Sequence, residues 1–199
     1  MAEVTLKKKI TLKRKGETAD FTFSGKLKVK LFWSSPTDLD LCLFFKKKNG
    51  EIGGVFSNEY RGRKSDLGNL NEFPFMLHMG DKKEPAAGNE ETEQINVVSL
   101  NEIDEAYVCI VNYDAAVDEE DVTFAEEGGR VELQSDSGDY LEVIADSAEH
   151  GPIYCVCSIK NHDGVNSLKK SGSDVPEVMD LSTAWRKIPG FKLITEQDD

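Results

Sequence analysis

Apolar and polar residues alternate with a period of two along most of the first half of the chain. Val4, Leu6, Ile10 and Leu12 fall on one side of an extended backbone, and Thr5, Lys7, Lys9, Thr11 and Lys13 on the other, as in a half-buried strand. Phe21 and Phe23 repeat the pattern, as do Leu27, Val29, Leu31 and Trp33. After a turn at Pro36, Leu39, Leu41 and Leu43 face one way and Asp38 and Asp40 the other. Lys48-Asn49-Gly50-Glu51 predicts a hairpin, because Asn-Gly accepts the positive φ of a type I′ turn, and a short strand follows at Val55-Phe56. Further strands are predicted at 94–100, 106–113, 122–124, 130–133, 140–145 and 153–160, with glycine turns at 127–129, 137–139 and 162–164.

The period changes near the C-terminus. Ser173-Asp174 offers a cap for a helix starting near Pro176, in which Val178, Leu181, Trp185 and Ile188 recur at helical spacing before Pro189-Gly190 stops it. This order of elements predicts an all-β protein: a two-sheet antiparallel β-sandwich with one or two short peripheral helices near the C-terminus. A length of 199 residues with 39% hydrophobic content suits a single domain, 1–199, with its own core. Residues 57–94 lack regular periodicity, and a loop of that length within one domain implies function.

Charge narrows the field of partners. The net charge of −13 disfavours nucleic acid. The charge is unevenly spread: residues 1–30 carry nine bases against three acids, whereas 102–149 carry sixteen acids and one base, Arg130. Either a basic face meets an acidic partner, or the two regions lie together and offset each other, with lysines guarding an edge strand. No run approaches the ~20 apolar residues of a membrane span, and the charged start does not resemble a signal peptide. Cys42, Cys109, Cys155 and Cys157 lie in apolar segments without zinc-site spacing, which predicts buried thiols and a cytoplasmic location.

Two acidic clusters carry the candidate chemistry. Asp38 and Asp40 flank Leu39 at a strand start, while His78-Met-Gly-Asp81 is followed by Gly88-Asn89-Glu90-Glu91. Carboxylates at strand positions need a positive partner, and a hard oxygen-seeking cation such as calcium meets that need if the clusters converge. The alternative is a solvated loop ion-paired to Arg61, Arg63 or Lys64. Two residues apart on a strand, Asp38 and Asp40 are expected about 7 Å from one another, so that one binds metal while the other positions a loop. His78 reads as a hydrogen-bonded anchor rather than a base. Cys155 and Cys157 read as buried hydrophobes rather than a soft-metal pair. No nucleophile elbow or phosphate loop is present.

The Trp-ended strand, the turn, Asp38-Leu-Asp40-Leu41, the Asn-Gly hairpin and Val55-Phe-Ser-Asn58 together resemble the tellurium-resistance TerD family. So do His78-Met-Gly-Asp81, the Gly88–Glu91 cluster and Ile95-Asn-Val97. The resemblance spans roughly residues 25–160, is strongest over 31–113, and thins over the helical tail 161–199. It implies a cytoplasmic β-sandwich that binds calcium, has no catalytic activity firmly attached to it (metal-assisted hydrolysis being the weaker alternative), and joins protein partners in a stress-response system. The implied metal ligands are Asp38, Asp40, Asp81, Gly88, Asn89, Glu90 and Glu91, with Asn58, His78 and Gly80 as loop anchors. The loop departs from the family: Lys82, Lys83, Pro85 and Ala86 replace a glycine- and acid-rich stretch, and Asn89 removes a charge. One weakened site rather than two is therefore expected, and the alternative is a metal-independent interaction module with a degenerate site.

Overall fold

The computed structural model describes residues 9–23, 25–83, 85–86, 88–136 and 140–195. Val4, Leu6 and the turn expected at 137–139 lie outside them. In chain order the strands are β1 (Lys9–Leu12), β2 (Thr18–Phe21), β3 (Leu27–Trp33), β4 (Leu39–Lys47), β5 (Ile52–Val55), β6 (Gly68–Asn69), β7 (Met76–His78), β8 (Glu91–Val97) and β9 (Ile103–Asn112). A short helix α1 (Tyr113–Asp118) precedes β10 (Gly129–Ser135), β11 (Tyr140–Ala145), β12 (Ile153–His162), β13 (Val165–Lys170) and β14 (Val178–Met179). Helix α2 (Leu181–Lys187) and a 3-10 segment, Phe191–Thr195, end the fold.

These strands form two sheets. One runs β1-β11-β10-β3-β8-β7-β6, and the other β2-β13-β12-β9-β4-β5, with β14 added beside β12. Every pairing is antiparallel except β1 on β11. The fold is a two-sheet β-sandwich. Between the sheets lie Leu27, Val29, Leu31 and Trp33 of β3 and Leu39, Leu41, Leu43 and Phe45 of β4. The buried Trp33 indole donates to the Thr37 carbonyl at 2.8 Å, which closes the turn leading into Asp38.

Strand β4 does not alternate apolar with polar beyond Asp40, because Cys42 and Phe44 occupy its second face. A strand buried on both sides needs cover on both. Cys42 and Phe44 join Cys109, Val111, Ile153 and Cys155 in a second apolar cluster, roofed by Ala184, Ile188 and Phe191. Phe191 meets Phe44 edge-on, with ring centroids 5.3 Å apart. Gly190 lets this roof close down: its φ is +89°, and a Cβ there would fall 2.2 Å from the Gly53 carbonyl oxygen.

Several sequence expectations change. The hairpin after β4 is not type I′: Gly50 sits at φ +89° while Asn49 keeps a negative φ, and the Gly50 N–H donates to the Lys47 carbonyl at 2.9 Å. A two-residue turn with positive φ at both positions occurs instead at Asp163 (φ 50°) and Gly164 (φ 87°), and it opens β13, a strand not anticipated. Residues 57–94 are not one loop, since β6, β7 and the start of β8 extend the first sheet through them. Residues 122–124 form no strand, although Phe124 is buried. The tail helix begins later than expected. Glu177 accepts the Cys155 N–H at 2.8 Å and holds 177–179 extended along β12, so Asp180, not Ser173 or Asp174, caps the helix through the Thr183 N–H at 2.7 Å. Among the described residues, no helix is long and apolar enough to cross a membrane.

Candidate metal centre

The site forms where β4 begins and the chain leaves β7. Asp38 precedes the first ladder residue of β4 and so escapes the strand's straight geometry. Its carboxylate, that of Asp40 and that of Asp81 each place an oxygen within 4.8 Å of the others. The expected 7 Å separation of Asp38 and Asp40 therefore does not hold for their oxygens, and one ion could touch both. Asp38 and Asp40 line a cleft of about 240 Å³, together with Tyr60, Lys83, Tyr113 and Asp114.

A buried acid that was not singled out from the sequence sets this arrangement. Glu93 of β8 is 1% exposed, and its carboxylate accepts the Leu41 N–H at 2.7 Å and the Lys82 N–H at 2.9 Å. Those two residues follow Asp40 and Asp81 directly, so one carboxylate ties the strand acid to the loop acid. His78 reinforces the tie. Gly80 N–H donates to its Nδ1 at 3.1 Å, which leaves the proton on Nε2 facing the Leu41 carbonyl at 3.2 Å and Glu93 at 3.5 Å. The sequence does carry a signal for Glu93: it falls in phase with the inward-facing Ile95 and Val97, where alternation calls for an apolar residue.

Crowding these acids has an electrostatic cost, visible in their protonation. Burial pushes the Asp40 carboxyl up to about 9, helped by the charge of Glu93 and by a hydrogen bond with Asp81, while the Tyr60 hydroxyl, donating at 3.0 Å, opposes the rise. Burial likewise raises Asp38 and Glu93. For Asp81 burial acts upward too, but hydrogen bonds from Lys83 and from the Asp40 carboxyl outweigh it and hold Asp81 below the usual carboxylate range. A raised Asp40 beside a lowered Asp81 is the response of close carboxylates that lack enough positive charge. One oxygen, Asp38 Oδ1, is buried with no hydrogen-bond partner.

Glu90 and Glu91 are not among the carboxylates that meet there. Glu90 is drawn to Arg130, with oxygens 2.5 and 3.1 Å from the guanidinium nitrogens, and the guanidinium in turn stacks 4.2 Å from the Phe32 ring. The Glu91 carboxylate accepts the Thr92 N–H at 3.1 Å. The Asn89 N–H donates to the Ala86 carbonyl at 2.9 Å, and Gly88 takes a positive φ of 80° in open surroundings. The Asn58 carbonyl accepts the Gly62 N–H at 2.8 Å. Arg61, considered as a partner for the acids, pairs with buried Asp66.

The donor set suits a hard cation. All three close candidates are carboxylates, one oxygen is unsatisfied, and a cleft reaches Asp38 and Asp40 from solvent. No protein-family model matches the chain, and no curated protein matches it. Among solved structures it is similar to the crystal structure of the unknown function protein SAV2460, with a TM-score of 0.53 at 13% identity, over 82% of this chain and 95% of that one. That likeness is of fold alone.

Proposed function

We propose that this is a calcium-binding, non-catalytic binding or scaffolding protein of a cytoplasmic stress response, of the tellurium-resistance type that its sequence resembles. One observation carries the reading: carboxylates from a strand start and from a distant loop converge within 4.8 Å, one with an orphaned oxygen. Asp38, Asp40 and Asp81 would hold the ion, Glu93 and His78 would position them, and Tyr60 would orient Asp40. When bound, calcium supplies the positive charge that these crowded carboxylates lack. Because Asp81 comes from the loop and Asp38 and Asp40 from the β4 region, binding couples loop order to the sandwich, and the ordered loop offers a surface to a protein partner.

Calorimetric titration with calcium tests this, together with thermal melts in calcium and in chelator. Asp40→Asn is expected to weaken binding by at least about 100-fold, as loss of a ligand charge does, while melting no lower than the wild type in chelator. Glu90→Gln, which touches Arg130 instead, is expected to leave affinity unchanged. A metal-independent interaction module is the second reading. It is favoured by an ammonium already in place at the acids, that of Lys83, and by Tyr113 and Val117 exposed on α1 among Asp114 and Asp118. Silent titrations and chelator-insensitive melting would leave that reading in possession.

A further inference from the structure

The Lys83 side chain enters the acidic cleft from outside. Its Nζ lies 2.9 Å from Asp81, 3.5 Å from Asp38 and 2.7 Å from Glu59. We propose that Lys83 is a tethered competitor for the divalent ion: its ammonium bridges the strand and loop carboxylates when no metal is bound, and it must withdraw before calcium is coordinated. The inference rests on the calcium reading above and adds to it a device that sets the concentration at which the site fills.

Three features support it. First, the same carboxylates serve both cations, since Asp38 and Asp81 are members of the close trio and partners of the ammonium. A single positive charge satisfies them only in part: Asp38 Oδ1 still lacks a partner, and a divalent ion offers more charge and more coordination positions. Second, withdrawal is structurally easy. The Lys83 side chain is 59% exposed and unbranched, so its departure uncovers no core and breaks no backbone hydrogen bond. Third, a resting place exists. Glu59 is equally exposed at the mouth of the cleft and already holds the ammonium at its shortest contact, so the arm can pivot on Glu59 while leaving Asp38 and Asp81 free. Exchange of this kind weakens calcium binding without removing any ligand, and it makes affinity depend on one side chain outside the coordination set.

The experiment is calorimetric titration of calcium into the wild-type chain and into Lys83→Gln and Lys82→Gln, at fixed pH and ionic strength. Lys82 carries the same charge one residue away, but its contribution to the site is its backbone N–H on Glu93. Lys83→Gln is expected to bind calcium about tenfold or more tightly than wild type, and Lys82→Gln to change affinity by less than about threefold. In chelator, Lys83→Gln is expected to melt below wild type, with calcium reversing the order. Equal gains from both lysine variants would reduce the effect to general surface charge and overturn the competitor. Unchanged affinity in Lys83→Gln, with calcium still bound by wild type, would overturn it and spare the calcium reading. Absence of calcium binding in all three proteins would remove both.

Discussion

Asp40 shows how much one position can bias the molecule. At 5% exposure, with its carboxyl raised to about 9 first by burial and then by Glu93, the folded chain keeps a proton that the unfolded chain releases above about pH 4. A group that binds its proton more tightly when folded favours the fold at low pH, and this advantage disappears as pH rises toward the folded value. Asp38 and Glu93, also raised by burial, act in the same direction. Carboxylates lowered by their partners, Asp81 and Glu177 among them, change protonation only below about pH 4.5 and do not enter this window. Urea denaturation without calcium is therefore expected to show a lower midpoint at about pH 8 than at about pH 5.5, and Asp40→Asn, with no proton to lose, to flatten that slope. A midpoint rising over the same interval would contradict the buried proton. Asp40 was legible from the sequence as an acid at the start of an apolar strand. Glu93 was hidden because it sits in a segment with Glu91, Thr92 and Gln94, whose polarity masks its inward phase.

Among the elements, the closing segment roofs the second sheet. Helix α2 and the 3-10 segment contribute Ala184, Ile188 and Phe191, which cover the outer face of β4, β9 and β12. Phe191→Ala removes a fully buried ring from the edge of Phe44 and is expected to cost about 3–5 kcal/mol in equilibrium unfolding. The need for a roof is written in β4, where Cys42 and Phe44 follow Asp40 on the second face, yet the helix starts at Leu181, five residues beyond the Pro176 that the local pattern suggests. Competition explains the shift. Residues 175–179 suit a helix start locally, but the β12 edge has a free N–H at Cys155 that Glu177 satisfies, and sheet pairing wins. Strands β6 and β7 were missed for another reason. At two and three residues they are too short to display a period, and only the pairing of β7 with β8 and of β6 with β7 makes them strands.

For the molecule as a whole, the uneven charge resolves partly into internal pairing. Lys9 of edge strand β1 pairs with Glu142 at 3.2 Å, Lys15 reaches Glu149 at 3.0 Å, and Lys30 stands opposite buried Glu132 across β3 and β10. The basic start and the acidic middle meet on neighbouring strands, as sequence distance alone could not reveal. The roof over the second sheet also has a chemical consequence. Cys42, Cys109 and Cys155 lie beneath it, whereas Cys157 lies between the sheets, and all four thiols are fully buried. An aromatic disulfide reagent is expected to find no reactive thiol in the native protein. Gly190 is where this seal can be pried open. A methyl group added there meets the Gly53 carbonyl as a wedge beneath a lid, so Gly190→Ala should turn three silent sulfurs into titratable ones while the fourth stays dark. The chain thereby carries its own gauge of whether residues 181–195 are seated.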